Sequence, residues 1–304
     1  MIRSNFYATI NLDRAANQRT DSEWLAKLLR APKSRVLPLW RSQSLFTTGD
    51  ELAMIELDIT HLEALSNGQN EPIFLGLVGE TAYFSIDVSH IENPADHDVL
   101  GRQGQFADLR QVGPNMARDV GNLLAYARGI DYWHQRHRHC GVCGAPTRSE
   151  AAGHQRRCTD EACNATHFPR TDTACIVLVY DGDKIILARA ERFPPRMQSV
   201  LAGFLEPGES LEDCVAREIF EEVGVKVTDV AYQHSQPWPF PASLMVGFRA
   251  RAENTDLHPD PTELVAAGWH SRAELKAITP ESKLQLPRAD SIARRLIEDW
   301  LDEG

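Results

Sequence analysis

The sequence predicts an α+β protein in three parts: a mixed α/β N-terminal domain over residues 1–135, a small cysteine-rich insert over 136–169 and a sheet-and-helix domain over 170–304. Three observations carry this. The 304 residues suffice for about two domains that each bury a core. Short β-branched and aromatic runs bounded by turn residues alternate with helical patterns in both halves. Between the halves stand four cysteines in two close pairs. No internal repeat is evident in the residues themselves.

Taken in order, Asp21 to Leu29 reads as a short helix, Arg35 to Trp40 as a strand, and Pro72 to Val88 as a hairpin turning at Gly79-Glu80. From Pro114 to His137 the apolar residues Met116, Val120, Leu123, Leu124, Ala127, Ile130 and Trp133 recur at helical spacing. A helix therefore connects the two halves, with its Met and aromatics in the core.

Cys140 and Cys143 enclose two residues, and Cys158 and Cys163, fourteen residues further on, enclose four. Two such pairs suit a closed tetrahedral Zn²⁺ site of four thiolates. The second pair is the longer, and His154 and His167 are the other donors near it. Disulfides would need an oxidising compartment that nothing else suggests. Cys175 and Cys214 remain, and their apolar neighbours make them buried free thiols. The flanks HQRHRHC and QRRC are basic but lack a stacking platform, which favours a structural insert over a nucleic-acid module.

Beyond the insert, Ala174 to Tyr180 and Lys184 to Ala190 are strands about an Asp181-Gly182 turn, and Gln198 to Glu206 is a third. It runs into GFLEPGESLEDCVAREIFEEVGV, Gly203 to Val225. Ser210 is a natural N-cap, Glu212 and Asp213 place negative charge in the first turn, and Gly224 sits where a left-handed terminator belongs. At about 100° per residue, Glu218, Glu221 and Glu222 share an arc of roughly 100°, while Ala216, Ile219, Phe220 and Val223 fall on another, expected to face the core. Two charges about 5 Å apart repel by roughly 3 kcal/mol at an effective dielectric near 20. Such a cluster must take up protons or bind cations, and hard oxygen donors suit Mg²⁺ or Mn²⁺. Glu209 stands ready to pair with Arg217.

Downstream, Ser235 to Ser243 reads SQPWPFPAS. Its alternating prolines remove donors and fix φ, which predicts a rigid loop presenting Trp238 and Phe240, with Gln236 and the serines as hydrogen-bonding groups. That chemistry suits a flat heteroaromatic ring. Asp260 to Leu264 leads into a strand ending at Trp269. Ala289 to Asp302 is an amphipathic helix with Ile292, Leu296, Ile297 and Trp300 inward. The formal charge of −11 disfavours indiscriminate binding to nucleic acid or anionic membranes. The first twenty residues lack a signal peptide's apolar core and no apolar run could span a bilayer, so a cytoplasmic protein without membrane partners is expected.

The frame of Gly203, Glu209, Arg217, Glu218, Ile219, Glu221, Glu222, Gly224 and Val225 resembles the Nudix box, the signature of hydrolases that cleave nucleoside diphosphates linked to another moiety. The resemblance implies an α/β/α sandwich in which Glu218 and Glu222 bind a divalent metal. It makes Glu221 a further ligand or acid, the Ala202 carbonyl a metal contact, and water the nucleophile. Gly203, Glu209, Arg217 and Gly224 are its structural positions. SQPWPFPAS after such a box looks like the hallmark of the NADH pyrophosphatase branch, and the order of N-terminal domain, four-cysteine ribbon, box and motif is also that of the branch. By that resemblance Gln236, Pro237, Trp238, Pro239, Phe240, Pro241, Ala242 and Ser243 contact the dinucleotide, and Phe168 and Phe204 give aromatic faces to one base. Position 168 is often tyrosine in the branch, and losing its hydroxyl leaves stacking intact. FADLRQV brings Arg110 to substrate, Glu263 matches an additional metal-binding glutamate, and SIARRLI matches a helix whose backbone near Ala293 approaches substrate. The activity implied is hydrolysis of NADH or NAD⁺ to nicotinamide mononucleotide and AMP, extended to NAD-capped RNA, by a homodimer with Glu222 or Glu221 as general base. The alternatives are a hydrolase of ADP-ribose or another nucleoside diphosphate and a Nudix-fold nucleotide sensor; the intact acidic set speaks against the sensor.

Overall fold

The computed structural model describes residues 5–8, 11–49, 52–68, 70–113 and 116–303. It divides into two units: one holds Tyr7–Arg170 with Pro239–Ala242, the other Asn5 and Phe6, Thr171–Trp238 and the chain from Ser243 onward.

In the first unit, α1 (Ser22–Leu28) is capped by Asp21, whose carboxylate accepts from Trp24 N at 2.9 Å. The sheet centres on β1 (Arg35–Trp40), where Val36, Leu37 and Leu39 are buried. It pairs parallel with β5 (Thr81–Asp87), which pairs antiparallel with β4 (Ile73–Val78). On its other side lie β2 (Gln43–Phe46) and then β6 (Gln105–Ala107), while β3 (Leu57–Asp58) also pairs with β1. Three single-turn helices, α2 (Leu62–Leu65), α3 (Leu100–Gln103) and α4 (Leu109–Val112), fill the connections. The connecting helix α5 (Arg118–Arg136) buries Leu123, Leu124, Ala127, Ile130 and Trp133. It starts later than the apolar spacing predicts, because Ala117 is extended at its N-cap; Met116 precedes the helix and Pro114 lies outside the described residues. The cysteine insert is a three-stranded antiparallel ribbon of β7 (Thr147–Glu150), β8 (Gln155–Cys158) and β9 (Thr166–His167).

In the second unit, β10 (Asp172–Asp181) is the central strand. Its side chains alternate with the strand period: Cys175, Val177 and Val179 pack with α6 (Leu211–Val223), and Ile176 and Leu178 pack with α7 (Arg272–Lys276) and α8 (Ile292–Asp302). This is the expected α/β/α sandwich. The strand order is β13-β14-β10-β11-β15, from β13 (Val227–Trp238), β14 (Ser243–Ala252), β11 (Lys184–Ala190) and β15 (Leu264–Ser271), with β12 (Leu201–Phe204) also paired to β10.

The two sheets share one topology. In each, the first strand pairs parallel with the fifth and antiparallel with the second and third; the fourth pairs with the fifth and the sixth with the second. The chain thus contains a structural repeat that its residues do not announce. Between the third and fourth strands the second copy carries the thirteen-residue α6, while the first carries, among the described residues, only the short turns Ile59–His61 and Leu62–Leu65.

The proline-rich stretch departs from expectation. Ser235 to Trp238 are the end of β13, registered against Val246, Met245, Leu244 and Ser243, and only Pro239–Ala242 form the turn. Because β13 is an edge strand, Pro237 forfeits no interior ladder bond. Gln236 is fully buried there: its Nε2 donates to Phe6 O at 3.0 Å and Asp290 O at 2.7 Å, and its Oε1 accepts from Ile292 N at 2.7 Å, capping α8. At about 1 kcal/mol net per hydrogen bond, with an extra cost for orphaned buried groups, Gln236→Leu should lose about 2–4 kcal/mol. A lower urea midpoint with unchanged slope checks this, and an unshifted midpoint would contradict it.

Candidate active site

The acidic helix is built as its sequence suggests at both ends. Ser210 Oγ accepts from Asp213 N at 3.1 Å while Asp213 Oδ2 accepts from Ser210 N at 3.1 Å, a reciprocal cap, and Gly224 ends the helix at φ 72°. Arg217 ties the preceding loop to it. Its Nε and Nη2 donate to Glu209 at 2.5 and 2.9 Å, Nη2 to Phe204 O at 3.0 Å, and Nη1 to Glu218 at 2.9 Å and Glu221 at 3.1 Å. The guanidinium and the N–H of Glu206 hold the Glu209 carboxyl down to about 2.

The helix is rotated relative to the expected arcs. Cys214, Val215, Ile219 and Val223 face the sheet, whereas Phe220 is 53% exposed and Ala216 is exposed. The buried arc therefore overlaps the acidic one. Glu222 is 6% exposed, and its carboxyl is pushed up to about 8 by burial and by the charges of Glu218 and Glu263, against a backbone hydrogen bond from Ala202. Glu218 is also raised, by burial first, with Arg217 opposing and Glu221 and Glu263 adding. Gly203 is required by close approach: a Cβ there would lie 1.8 Å from the Glu218 carboxyl carbon. Glu221 and Glu263 are exposed. Crowded carboxylates, one of them buried with its proton affinity raised first by burial and then by Glu218 and Glu263, form a donor set that a hard divalent cation would relieve.

The four ribbon cysteines meet a stricter test. Their sulfurs all lie within 4.8 Å of one another, with Cys140 and Cys163 at 3.8 Å and Cys143 and Cys158 at 3.4 Å. A tetrahedron with bonds of about 2.3 Å has edges of about 3.8 Å, so Cys140, Cys143, Cys158 and Cys163 fit a structural Zn²⁺. Val142 N points at Cys140 Sγ from 3.4 Å. His167 Nε2 lies 3.3 Å from the same sulfur, beside the ligand set, and His154 instead bonds Phe74 O at 2.7 Å.

Of the residues expected at the substrate, Phe168 and Phe204 present large exposed faces, 63% and 59% accessible. Trp238 and Ser243 pair across the last rung of β13 and β14 and are partly exposed; Pro237 and Ala242 are partly exposed and Pro241 exposed. Four others of the set are engaged within the chain. The amide of Gln236 is wholly engaged within the chain. Phe240 is 8% exposed, with the Arg110 and Arg128 guanidinium carbons 4.8 and 5.2 Å from its ring centre and Tyr7 edge-on at 5.8 Å. It anchors the turn. Pro239 beside it is buried too, and Ala293 packs its side chain in the core below α8. Arg110 Nη2 donates to Phe240 O at 3.2 Å and Arg128 Nε to Pro239 O at 2.9 Å. Arg128 escaped the sequence reading, although a charged residue four positions after Leu124 on an apolar helix face was a usable signal.

Glu222 gives a pH signature. Between about pH 4.5, its ordinary value, and pH 8 the folded chain holds a proton that the unfolded chain lacks, so its contribution to stability falls as pH rises through that window. Without added divalent cation, the wild type should lose melting temperature relative to Glu222→Gln from pH 5 to 8, and Mg²⁺ should restore more of it at pH 8. Parallel pH profiles with no Mg²⁺ effect would contradict the assignment.

Comparison with known proteins agrees along the chain. Residues 169–295 match the NUDIX domain, residues 33–133 the NADH pyrophosphatase-like rudimentary NUDIX domain, and residues 135–168 the NADH pyrophosphatase zinc ribbon domain. The chain is 41% identical over 252 residues to the NAD-capped RNA hydrolase NudC of Stutzerimonas stutzeri, covering 83% of this chain and 82% of that protein. It is 37% identical over 307 residues to the protein of the same name from Mycobacterium tuberculosis, covering 96% and 93%. With an NAD-capped RNA hydrolase of Homo sapiens it shares 32% identity over 342 residues, covering 98% of this chain and 73% of that one. With its Arg217-braced acidic helix, its four-cysteine ribbon and these relatives, the chain belongs to the Nudix hydrolases, in the zinc-ribbon branch of the NADH pyrophosphatases.

Proposed function

We propose that this chain hydrolyses the pyrophosphate bridge of NADH and NAD⁺, giving nicotinamide mononucleotide and AMP, and the same bridge where NAD caps the 5′ end of RNA. The observation that carries this reading is the buried Glu222 carboxyl, crowded by Glu218 and Glu263 on a helix braced by Arg217. Such a group repels a pyrophosphate unless a divalent cation lies between them, and Mg²⁺ or Mn²⁺ suits the oxygen donors Glu218, Glu222 and Glu263, with Glu221 and the Ala202 carbonyl as further ligands. When bound, the cation neutralises phosphate charge and lowers the pKa of the attacking water.

The chain's own residues do the rest. Arg217 fixes Glu218 and Glu221, and its ion pair with Glu209 keeps the Gly203 loop against the helix. Glu222 takes the proton from water, with Glu221 as the other candidate base. Phe204 and Trp238 supply stacking faces for the dinucleotide, and Ser243 and the Ala293 backbone supply polar contacts; in the other unit Phe168 keeps an exposed aromatic face, and Arg110 and Arg128 hold the Pro239–Ala242 turn. The names of the relatives support the NAD bridge as substrate. The same reading expects a cytoplasmic homodimer. Among the described residues no helix is long and apolar enough to cross a membrane. With Gln236 and Phe240 engaged within the chain, fewer groups remain to select nicotinamide, which keeps ADP-ribose as the second reading.

Glu222→Gln should lower turnover by about a hundredfold or more, the scale of general-base loss, with its circular dichroism unchanged. Wild-type activity in that variant would remove Glu222 from the mechanism. Offered NADH, NAD⁺, ADP-ribose and a short NAD-capped RNA at equal concentration with Mg²⁺ or Mn²⁺, the protein should release nicotinamide mononucleotide or its reduced form. Preference for ADP-ribose would overturn the substrate assignment, and binding without turnover would make it a sensor.

A further inference from the structure

The last carbonyls of an α-helix have no partners within it, and in α6 the segment after β14 provides them. His258 N donates to Val223 O at 2.8 Å, Asp260 N to Glu222 O at 2.9 Å, and Asn254 Nδ2 to Gly224 O at 3.3 Å. The chain then turns sharply. Asp260 Oδ1 accepts from Thr262 N and Thr262 Oγ1, both at 2.8 Å, and Asp260 O accepts from Glu263 N at 3.2 Å and Leu264 N at 2.9 Å. Pro261, with its fixed φ, sits between. Leu264 opens β15, so Glu263 is set between a hydrogen-bonded turn and a strand. Asp260 is therefore bonded in both directions: by its N–H to the peptide of the residue bearing the buried carboxyl, and by its side chain and carbonyl to the turn that carries Glu263. The charge of Glu263 is felt at both Glu218 and Glu222.

We propose that Asp260 is a positioning residue for the divalent-cation site: its side chain sets the turn that presents Glu263, and its N–H registers that turn to Glu222. This rests on the reading that Glu218, Glu222 and Glu263 hold the cation. Asp260 acts by accepting hydrogen bonds and not by its charge, because both oxygen-to-Thr262 contacts are local to the turn. An amide oxygen makes the same contacts, so Asp260→Asn should preserve the site while Asp260→Ala should not. The role is distinct from that of Glu263, which Asp260 acts through.

The test measures Mn²⁺ binding directly, by electron paramagnetic resonance of free Mn²⁺ titrated into the full zinc-loaded chain, together with turnover. Asp260→Ala should weaken Mn²⁺ binding by about 10–100-fold, the usual range for groups that orient ligands, and Asp260→Asn should bind as the wild type does. In a double-mutant cycle, adding Glu263→Gln to Asp260→Ala should weaken binding little further, because the turn and the carboxylate act as one unit. Unchanged affinity in Asp260→Ala, equal losses in Asp260→Ala and Asp260→Asn, or fully additive losses with Glu263→Gln would each overturn the proposal. Should Asp260→Ala fail to fold, Thr262→Val removes one donor only. A smaller loss of the same sign then supports the role, and wild-type affinity overturns it. Glu222→Gln is the reference: if it binds Mn²⁺ normally the cation-site reading falls, whereas if only Asp260→Ala binds normally the role of Asp260 alone falls.

Discussion

The Arg217 guanidinium is the constraint on which the site depends. An exposed ion pair contributes little, but this cation is mostly shielded, pairs with Glu209 through two N–H groups, and reaches Glu218, Glu221 and the Phe204 carbonyl as well. Geometry of that kind gives direction as well as attraction. Without it, carboxylates repelling by roughly 3 kcal/mol per close pair would spread apart, and the loop from Gly203 would have no fixed distance to the helix. The narrow gap shows in Gly203 itself, where the Glu218 carboxyl occupies the space of a side chain.

What was legible in the sequence was local. The Ser210 cap, the Gly224 terminator and the pairing of Arg217 with Glu209 depend on residues a few positions apart, and each appears as expected. The strands that read as continuous apolar runs, Ala174 to Tyr180 above all, were equally plain, because both faces of β10 are covered. What was not legible was the phase of an element against its surroundings. An arc of acids and an arc of apolar residues do not say which edge of the apolar arc meets the sheet: the spacing points Phe220 inward, and in the structure Glu222 takes that place. Pro237 suggested a loop because prolines oppose strands in general, whereas an edge strand tolerates one. Gln236 and Phe240 looked like offered groups, and only the partners brought from Phe6, Asp290, Ile292, Arg110 and Arg128 reveal that they are anchors.

These corrections share a physical theme. The motif residues divide between those with exposed groups and those whose groups are engaged within the chain, and burial separates the two. Phe168 and Phe204 keep their faces in solvent; Phe240 and Gln236 have exchanged theirs for internal partners. Glu222 has features of both groups: it is buried like an anchor, yet it sits in the crowded acidic set with Glu218 and Glu263.

The repeated sheet topology bears on how this chain reaches its fold. Two six-stranded frames with identical strand order and sense, joined in one polypeptide, invite strands of one copy to dock in the register of the other while both are forming. Tandem copies misassemble most readily when their sequences stay alike. Here the residues of the two frames show no evident repeat, and β1 and β10 offer different side chains to their neighbours. Strand order alone therefore does not distinguish a strand's own frame from the other, and that discrimination is left to the side chains.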